Sequence, residues 1–227
     1  MIKNIIIIVV FLMTFYSCNR KQHQKEDKGI LFEYDLKYLV APAENPIINL
    51  LPEKMYLYYK DHHFLYYTEG WMGLFSISQI INIDDSTRIV MAKFLDKKYA
   101  YQHKIYDDAL KYEIFEDFFL SEEERDTTFL YYGGKCYNIS AAGIEENSEL
   151  IYTNDFDMPN PNLFLPYHFI EGLLLKFPMN TFGIPTQVEL ISYTDTLLND
   201  SVFIRPNEYI LLDRREFEEI FDQYTPQ

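Results

Sequence analysis

Two cysteines, five histidines and several paired carboxylates are the side chains of this 227-residue chain that could do chemistry. His62 and His63 follow Asp61 and could begin a metal site. Adjacent residues on a strand point to opposite faces, so the two imidazoles cannot chelate one ion together without distortion; at a hairpin tip they are expected in solvent. Asp84-Asp85, Asp107-Asp108 and Glu116-Asp117 could act as acid–base pairs or calcium ligands. They lack the oxygen-rich spacing of a calcium loop, and acidic side chains gather at turns because they hydrogen-bond the local backbone. Glu122-Glu123-Glu124 reads as a solvated charge run, and His168 as a loop or helix-start residue rather than a general base. No Gly-x-Ser-x-Gly, His-Glu-x-x-His, phosphate loop or dinucleotide fingerprint occurs. No catalytic residue, metal or cofactor is therefore expected. Cys136 reads as a small buried apolar residue rather than a reactive thiol. Cys18 differs because of what precedes it.

Lys3 stands before a nearly unbroken apolar run from Ile5 to Tyr16, and Ser17 then precedes Cys18. That is the charged, apolar and cleavage-region order of a secretory signal, and a run this short falls below the ~20 residues of a spanning helix. Phe15-Tyr16-Ser17-Cys18 resembles the lipobox of bacterial lipoproteins, closely at Ser17 and Cys18 and loosely at Phe15 and Tyr16. The resemblance implies cleavage after residue 17 and lipid attachment at Cys18; an ordinary secretory signal beside a free cysteine is the alternative. Residues 18–29 then form a tether, since Asn19–Gly29 contains no apolar residue and cannot bury enough surface to offset its ordering entropy. With lipid on Cys18, only Cys136 remains and no disulfide can form within one chain. The expected location is the envelope of a Gram-negative bacterium, anchored in the outer membrane, with a periplasm-facing or surface-exposed orientation left open.

The elements that must position any site begin at residue 30, and residues 30–227 are long enough for one all-β domain. Aromatic residues make up 17% of the chain, with 20 Tyr and 18 Phe; rings are enriched in strands. A formal charge of −15 argues against nucleic acid and against electrostatic docking on anionic lipid. Alternation of period two puts Phe32, Tyr34, Leu36, Tyr38 and Val40 on one face of a strand over 30–40. Hairpins are expected around Lys60–His63, Asp84–Ser86, Asp96-Lys97 and Gly133-Gly134, the glycines serving a tight turn. Further strands are expected at 149–154, 171–177, 184–193 and 201–205. On Gly172–Phe177, alternation sends Leu173, Leu175 and Phe177 to one face. Lys176 would not lie dry without a partner, so its face, shared with Leu174, is the wetter one. Asp107–Leu120 fits either a strand or a helix, and Met158–Asn162 is a loop that a sheet cannot hold. Asp213 followed by Glu216 is a capping-box pattern opening a helix with the stripe Phe217, Ile220, Phe221, Tyr224. The fold class is mainly β with one or two helices on one face, about ten mostly antiparallel strands in a single domain.

Thr128–Tyr137 resembles the "I-x-G-Y-K-C" hairpin of exported bacterial proteins in the family named for a GLPGLI motif, similar in turn to the LolA-like lipoprotein-carrier superfamily. Leu150-Ile151-Tyr152-Thr153 matches the following "x-W-Y-T" strand without its tryptophan. Gly172–Leu175 matches only the second half of the naming motif, and Phe203–Tyr209 with the last helix resembles the family's "F-x-I-P-x-x-Y" ending. The resemblance implies a strongly curved antiparallel sheet, an incomplete barrel whose open side is lidded by helices around an apolar cavity. It supplies no catalytic residues. On that fold Phe32, Tyr34, Leu36, Tyr38, Leu173, Leu175 and Phe177 would line one space. Filled, that space is only the core of a large curved sheet; open, it takes a lipid or other apolar ligand. A Tyr-rich face binding a glycan or protein partner is the alternative function, and an exported hydrolase ranks last.

Overall fold

The computed structural model describes residues 26–42, 45–108, 110, 119–142, 148–181 and 184–224. The expected signal, Cys18 and most of the tether lie outside these residues, as does the middle of Asp107–Leu120.

Twelve strands form one open sheet: β1 (Glu26–Tyr38), β2 (Lys54–Lys60), β3 (His63–Glu69), β4 (Phe75–Asn82), β5 (Thr87–Phe94), β6 (Lys97–Lys104), β7 (Phe119–Phe129), β8 (Tyr132–Ala142), β9 (Ser148–Thr153), β10 (Leu173–Thr181), β11 (Ile184–Asn199) and β12 (Ile210–Leu211). Their spatial order is β12-β6-β5-β4-β3-β2-β1-β11-β10-β9-β8-β7. Every pairing is antiparallel except β12 against β6. β1 begins four residues earlier than expected: Glu26 to Gly29 pair with Asn199 to Thr196, inside the stretch assigned to the tether.

Two-residue turns join β2 to β3, β5 to β6 and β7 to β8. Asp61 and His62 both take positive φ, the conformation whose twist matches the flanking strands. The β7–β8 turn falls on Leu130-Tyr131, not on Gly133-Gly134, which belong to β8 and have no positive φ. Gly134 answers a different need: a Cβ there would sit 2.3 Å from the Asp155 carboxylate and 2.6 Å from the Tyr132 ring. Residues 201–205 are not a strand, because Asp200–Phe203 coils into a 3₁₀ turn. β12, which pairs Ile210 with Tyr99 and Leu211 with Ala100, had no signal in the sequence.

The largest core cluster lies on the face of the sheet that carries Phe32. It joins Phe32, Tyr34 and Leu36 of β1 to Met55, Phe64 and Tyr66 of β2–β3 and to Leu150, Leu173, Leu175 and Phe177 of β9–β10. A second cluster holds Val90, Ala92 and Phe94 of β5 against helix α1 (Arg214–Tyr224). The capping box forms as the spacing requires: Glu216 N–H donates to Asp213 Oδ1 at 2.9 Å, and Asp213 N–H to Glu216 Oε2 at 3.2 Å. Phe217 and Phe221 are buried, with the Phe221 ring 5.4 Å from Phe94.

The opposite face has its own cover. After β11 the chain crosses it, where Phe203 packs on Ile80, Met91 and Ala100. The buried Lys60 ammonium donates to Leu198 O at 3.1 Å and to Asp200 at 2.6 Å, pinning the start of this strap. Alternation on β10 breaks at a bulge between Leu174 and Lys176. Leu174, expected on the wetter face, is consequently buried in the main cluster, whereas Lys176 reaches Glu149 at 3.0 Å and is partly exposed.

Candidate functional site

Over the main cluster the cover of the Phe32 face is a loop, residues 154–172; α1 covers another part of the same face, over the second cluster, since Phe32, Leu57, Tyr66, Gln79 and Val90 lie opposite one another in register. Its Pro and Asn residues keep it out of the sheet, and its own hydrogen bonds fold it back on itself. Asn162, only 1% exposed, donates from its side-chain amide to Ile170 O (2.7 Å) and Gly172 O (2.8 Å). Asn160 donates to His168 O at 2.6 Å. Two buried tyrosines tie the loop down: Tyr66 donates to Pro161 O at 2.8 Å, and Tyr167 to Pro178 O. Burial pushes both phenols above their ordinary value, so they remain neutral donors. Tyr34 behaves alike, donating to Leu174 O at 3.0 Å with its phenol raised by burial and by Tyr66.

Between this loop and the sheet is a partly open apolar pocket of about 90 Å³. Leu36, Met55, Tyr66 and Ile77 line it from β1–β4, Phe177, Met179 and Thr181 from β10, and Phe164, Leu165 and Pro166 from the loop. Thr68, Gln79 and Asn180 add polar atoms. Gln79 is oriented by the buried Arg88, which donates to its Oε1 from Nε (3.1 Å) and Nη2 (2.7 Å). The Arg88 guanidinium also lies 4.7 Å from the centre of the Phe164 ring.

The residues expected to share one space are therefore partly brought together. Phe32, Tyr34, Leu36, Leu173, Leu175 and Phe177 all belong to one cluster, and Tyr34 and Phe177 meet edge to face at 6.2 Å. Leu36 and Phe177 line the pocket; Phe32, Tyr34, Leu173 and Leu175 are packed around it as filled core. Tyr38 leaves the set: half-buried, it packs on the second cluster and donates to Pro52 O at 2.6 Å. Met179 and Thr181 lie beyond the strand segment read from sequence, and the loop residues carry no periodicity that would mark them.

The other chemistry-bearing residues fall apart as ligand sets. His62 is exposed, 2.9 Å from Asp84, while His63 lies 5.6 Å from the Phe203 ring on the opposite face. Cys136 is buried, its thiol raised mainly by burial. His103 is buried without a hydrogen bond at either ring nitrogen, and burial, with the Arg88 charge, lowers it to about 4. Among the described residues no three His, Cys, Asp or Glu side chains are placed to hold a metal ion. The arrangement can hold an apolar group and offer it a few hydrogen bonds; it presents no nucleophile beside a base. A scan against protein-family models finds no match, and no curated protein matches the chain significantly.

Proposed function

We propose that this is a non-enzymatic, lipid-anchored protein of the bacterial envelope that holds a lipid or other apolar ligand in the pocket between loop 154–172 and the sheet. The proposal includes the LolA-like architecture implied by the sequence resemblance, an incomplete barrel, and attachment through Cys18. The observation that carries it is the pocket's lining. Ile77 on β4 and Met179 on β10 border one small space, although β3, β2, β1 and β11 lie between their strands. In a flat sheet five strand spacings would separate them by about 24 Å, so the sheet must curl around the pocket. Such a curl supports the half-barrel reading.

Energetically the pocket suits the end of a chain. Six methylenes buried at ~0.8 kcal/mol each contribute ~5 kcal/mol gross; a longer chain requires loop 154–172 to yield. The test is uptake of a fluorescent fatty acid by the full chain, with any co-purified lipid identified by mass spectrometry. Met179, half-buried on the pocket wall, is the position to block. Leu175 is not, since it is fully buried and a larger side chain would overpack the core. Met179→Trp should abolish uptake while the chain stays folded; a wild-type chain that takes up no probe refutes the proposal.

The competing reading, a Tyr-rich face for a glycan or protein, has one observation in its favour. Tyr193 is 46% exposed and stands 5.3 Å from Phe156 and 5.9 Å from Tyr132, a ring group with one face toward solvent. Protection of Tyr193 by oligosaccharide, with no uptake of the fatty-acid probe, would favour it.

A further inference from the structure

The end of the sheet nearest the pocket carries a group of apolar side chains in water. The β3–β4 connection presents Trp71, 51% exposed, and Met72, 82% exposed, and the β5–β6 turn presents Leu95, 50% exposed. The two connections touch: Leu95 N–H donates to Leu74 O at 2.7 Å, and Lys93 Nζ to Gly73 O at 2.6 Å. Leu50, also exposed, adjoins them, its carbonyl only 2.5 Å from where a Cβ on Gly70 would lie. Met72 (φ 50°) and Leu95 (φ 59°) both sit in left-handed backbone that L side chains disfavour. A glycine at either position would relieve that strain.

The tip and the pocket belong together. Thr68, opposite Met55 and Ile77, marks the pocket's level, and the next pair, Glu69 with Ser76, leads into Trp71 and Met72. Tyr67 lines both the pocket and the groove beside Trp71.

We propose that this tip inserts into the interfacial layer of a phospholipid bilayer and so sets the pocket against the membrane. The side chains expose together only a few hundred Å², well short of the roughly 800 Å² per partner of a stable protein interface. They are carried on two tight turns, a shape that enters lipid rather than one that mates with a flat surface. Tryptophan is the residue most at home at that depth, and the exposed Lys97, one residue past the exposed Asp96 that follows Leu95, can extend its ammonium toward phosphates. The choice of lipid over protein rests on the pocket reading, because an apolar ligand has to be drawn from a phase that dissolves it.

Trp71 is the only tryptophan of the chain, so its fluorescence reports the tip alone. The full chain is reconstituted in phosphatidylcholine vesicles with and without acyl-brominated phosphatidylcholine. Bromolipid should quench Trp71 at least twofold, and aqueous iodide should quench it little. Met72→Gly combined with Leu95→Gly should reverse both results, leaving a melting temperature at or above wild type. A wild-type Trp71 open to iodide and untouched by bromolipid overturns the inference, as does a double variant quenched like wild type. Capture of a protein at a tip that stays out of lipid also overturns it. A chain that takes up the fatty-acid probe with Trp71 in water keeps the pocket reading and loses this one. Insertion without uptake does the opposite.

Discussion

Asn162 is the point at which loop 154–172 can be released with one substitution. Its amide makes two buried bonds to the carbonyls of Ile170 and Gly172, and its backbone N–H donates to Asn160 Oδ1 at 2.8 Å. Asn162→Ala removes both amide bonds, each worth ~0.5–1.5 kcal/mol net, and leaves two carbonyls without those donors. The two bonds alone come to about 1–3 kcal/mol, and the unpaired carbonyls raise the loss to about 2–4 kcal/mol. Asn162→Asp keeps the shape but turns acceptors toward acceptors, so it should cost more than alanine at neutral pH and recover as the carboxyl protonates in acid. Urea unfolding measures the loss, and amide exchange locates it. Protection should fall over residues 160–172 before it falls in β1–β3, because the loop's ties to the sheet are few. Since Phe164, Leu165 and Pro166 wall the pocket, the fatty-acid probe should also enter the alanine variant faster. Variants within 0.5 kcal/mol of wild type, or exchange unchanged over 160–172, would show that the loop is held by packing alone and refute the reasoning.

Three further outcomes are expected. Phe221→Ala should cost ~3–5 kcal/mol, as for a fully buried ring, and calorimetry showing an unchanged melting temperature would make α1 peripheral. Gly134→Ala should destabilise by ~1–3 kcal/mol by forcing apart Tyr132 and Asp155, which are hydrogen-bonded at 2.8 Å. Gly133→Ala, with nothing within 4 Å of its added Cβ, should be neutral, and equal denaturation midpoints for the two variants would contradict the structure. His103 sits at about 4 in the fold against 6.5 unfolded. Between those pH values the unfolded chain binds the extra proton, so stability should fall as pH drops through that window, by about 1–2 kcal/mol after solvent screening. His103→Leu should flatten that slope, and a slope that survives the change belongs to other groups.

What the sequence could show of the fold was whatever repeats locally. Phe32, Tyr34 and Leu36 alternate with charged residues, and their burial follows. Asp213 and Glu216 cap a helix from three residues apart, a geometry that needs no tertiary partner. Where one extra residue enters a strand, period-two reading fails, and Leu174 is buried although alternation pairs it with Lys176 on the wetter face. The Leu130-Tyr131 turn carries none of the residue types that favour turns. Two neighbouring glycines drew the assignment toward themselves, although Gly134 is there to let Asp155 approach.

The candidate site was less legible because its walls belong to different scales of organisation. Leu36 and Phe177 were within reach of alternation, since each lies on a half-buried strand. The other side of the pocket is a loop whose Pro-Asn-Pro composition identifies it only as non-sheet. Whether such a loop covers the sheet depends on contacts at long range, such as Tyr66 to Pro161, 95 residues apart. The same holds for the tip: Trp71 precedes Met72, Leu95 follows the buried Phe94, and nothing in either stretch marks these side chains as exposed. Their meaning comes from the Leu95–Leu74 hydrogen bond that sets the two turns side by side. Seven residues expected to form one lining thus divide by function. Phe32, Tyr34, Leu173 and Leu175 fill the core, Leu36 and Phe177 reach the pocket, and Tyr38 serves the second cluster beneath α1. The filled positions still bear on the pocket, because a wall keeps its shape only where close-packed side chains stand behind it, as they do behind Leu36 and Phe177.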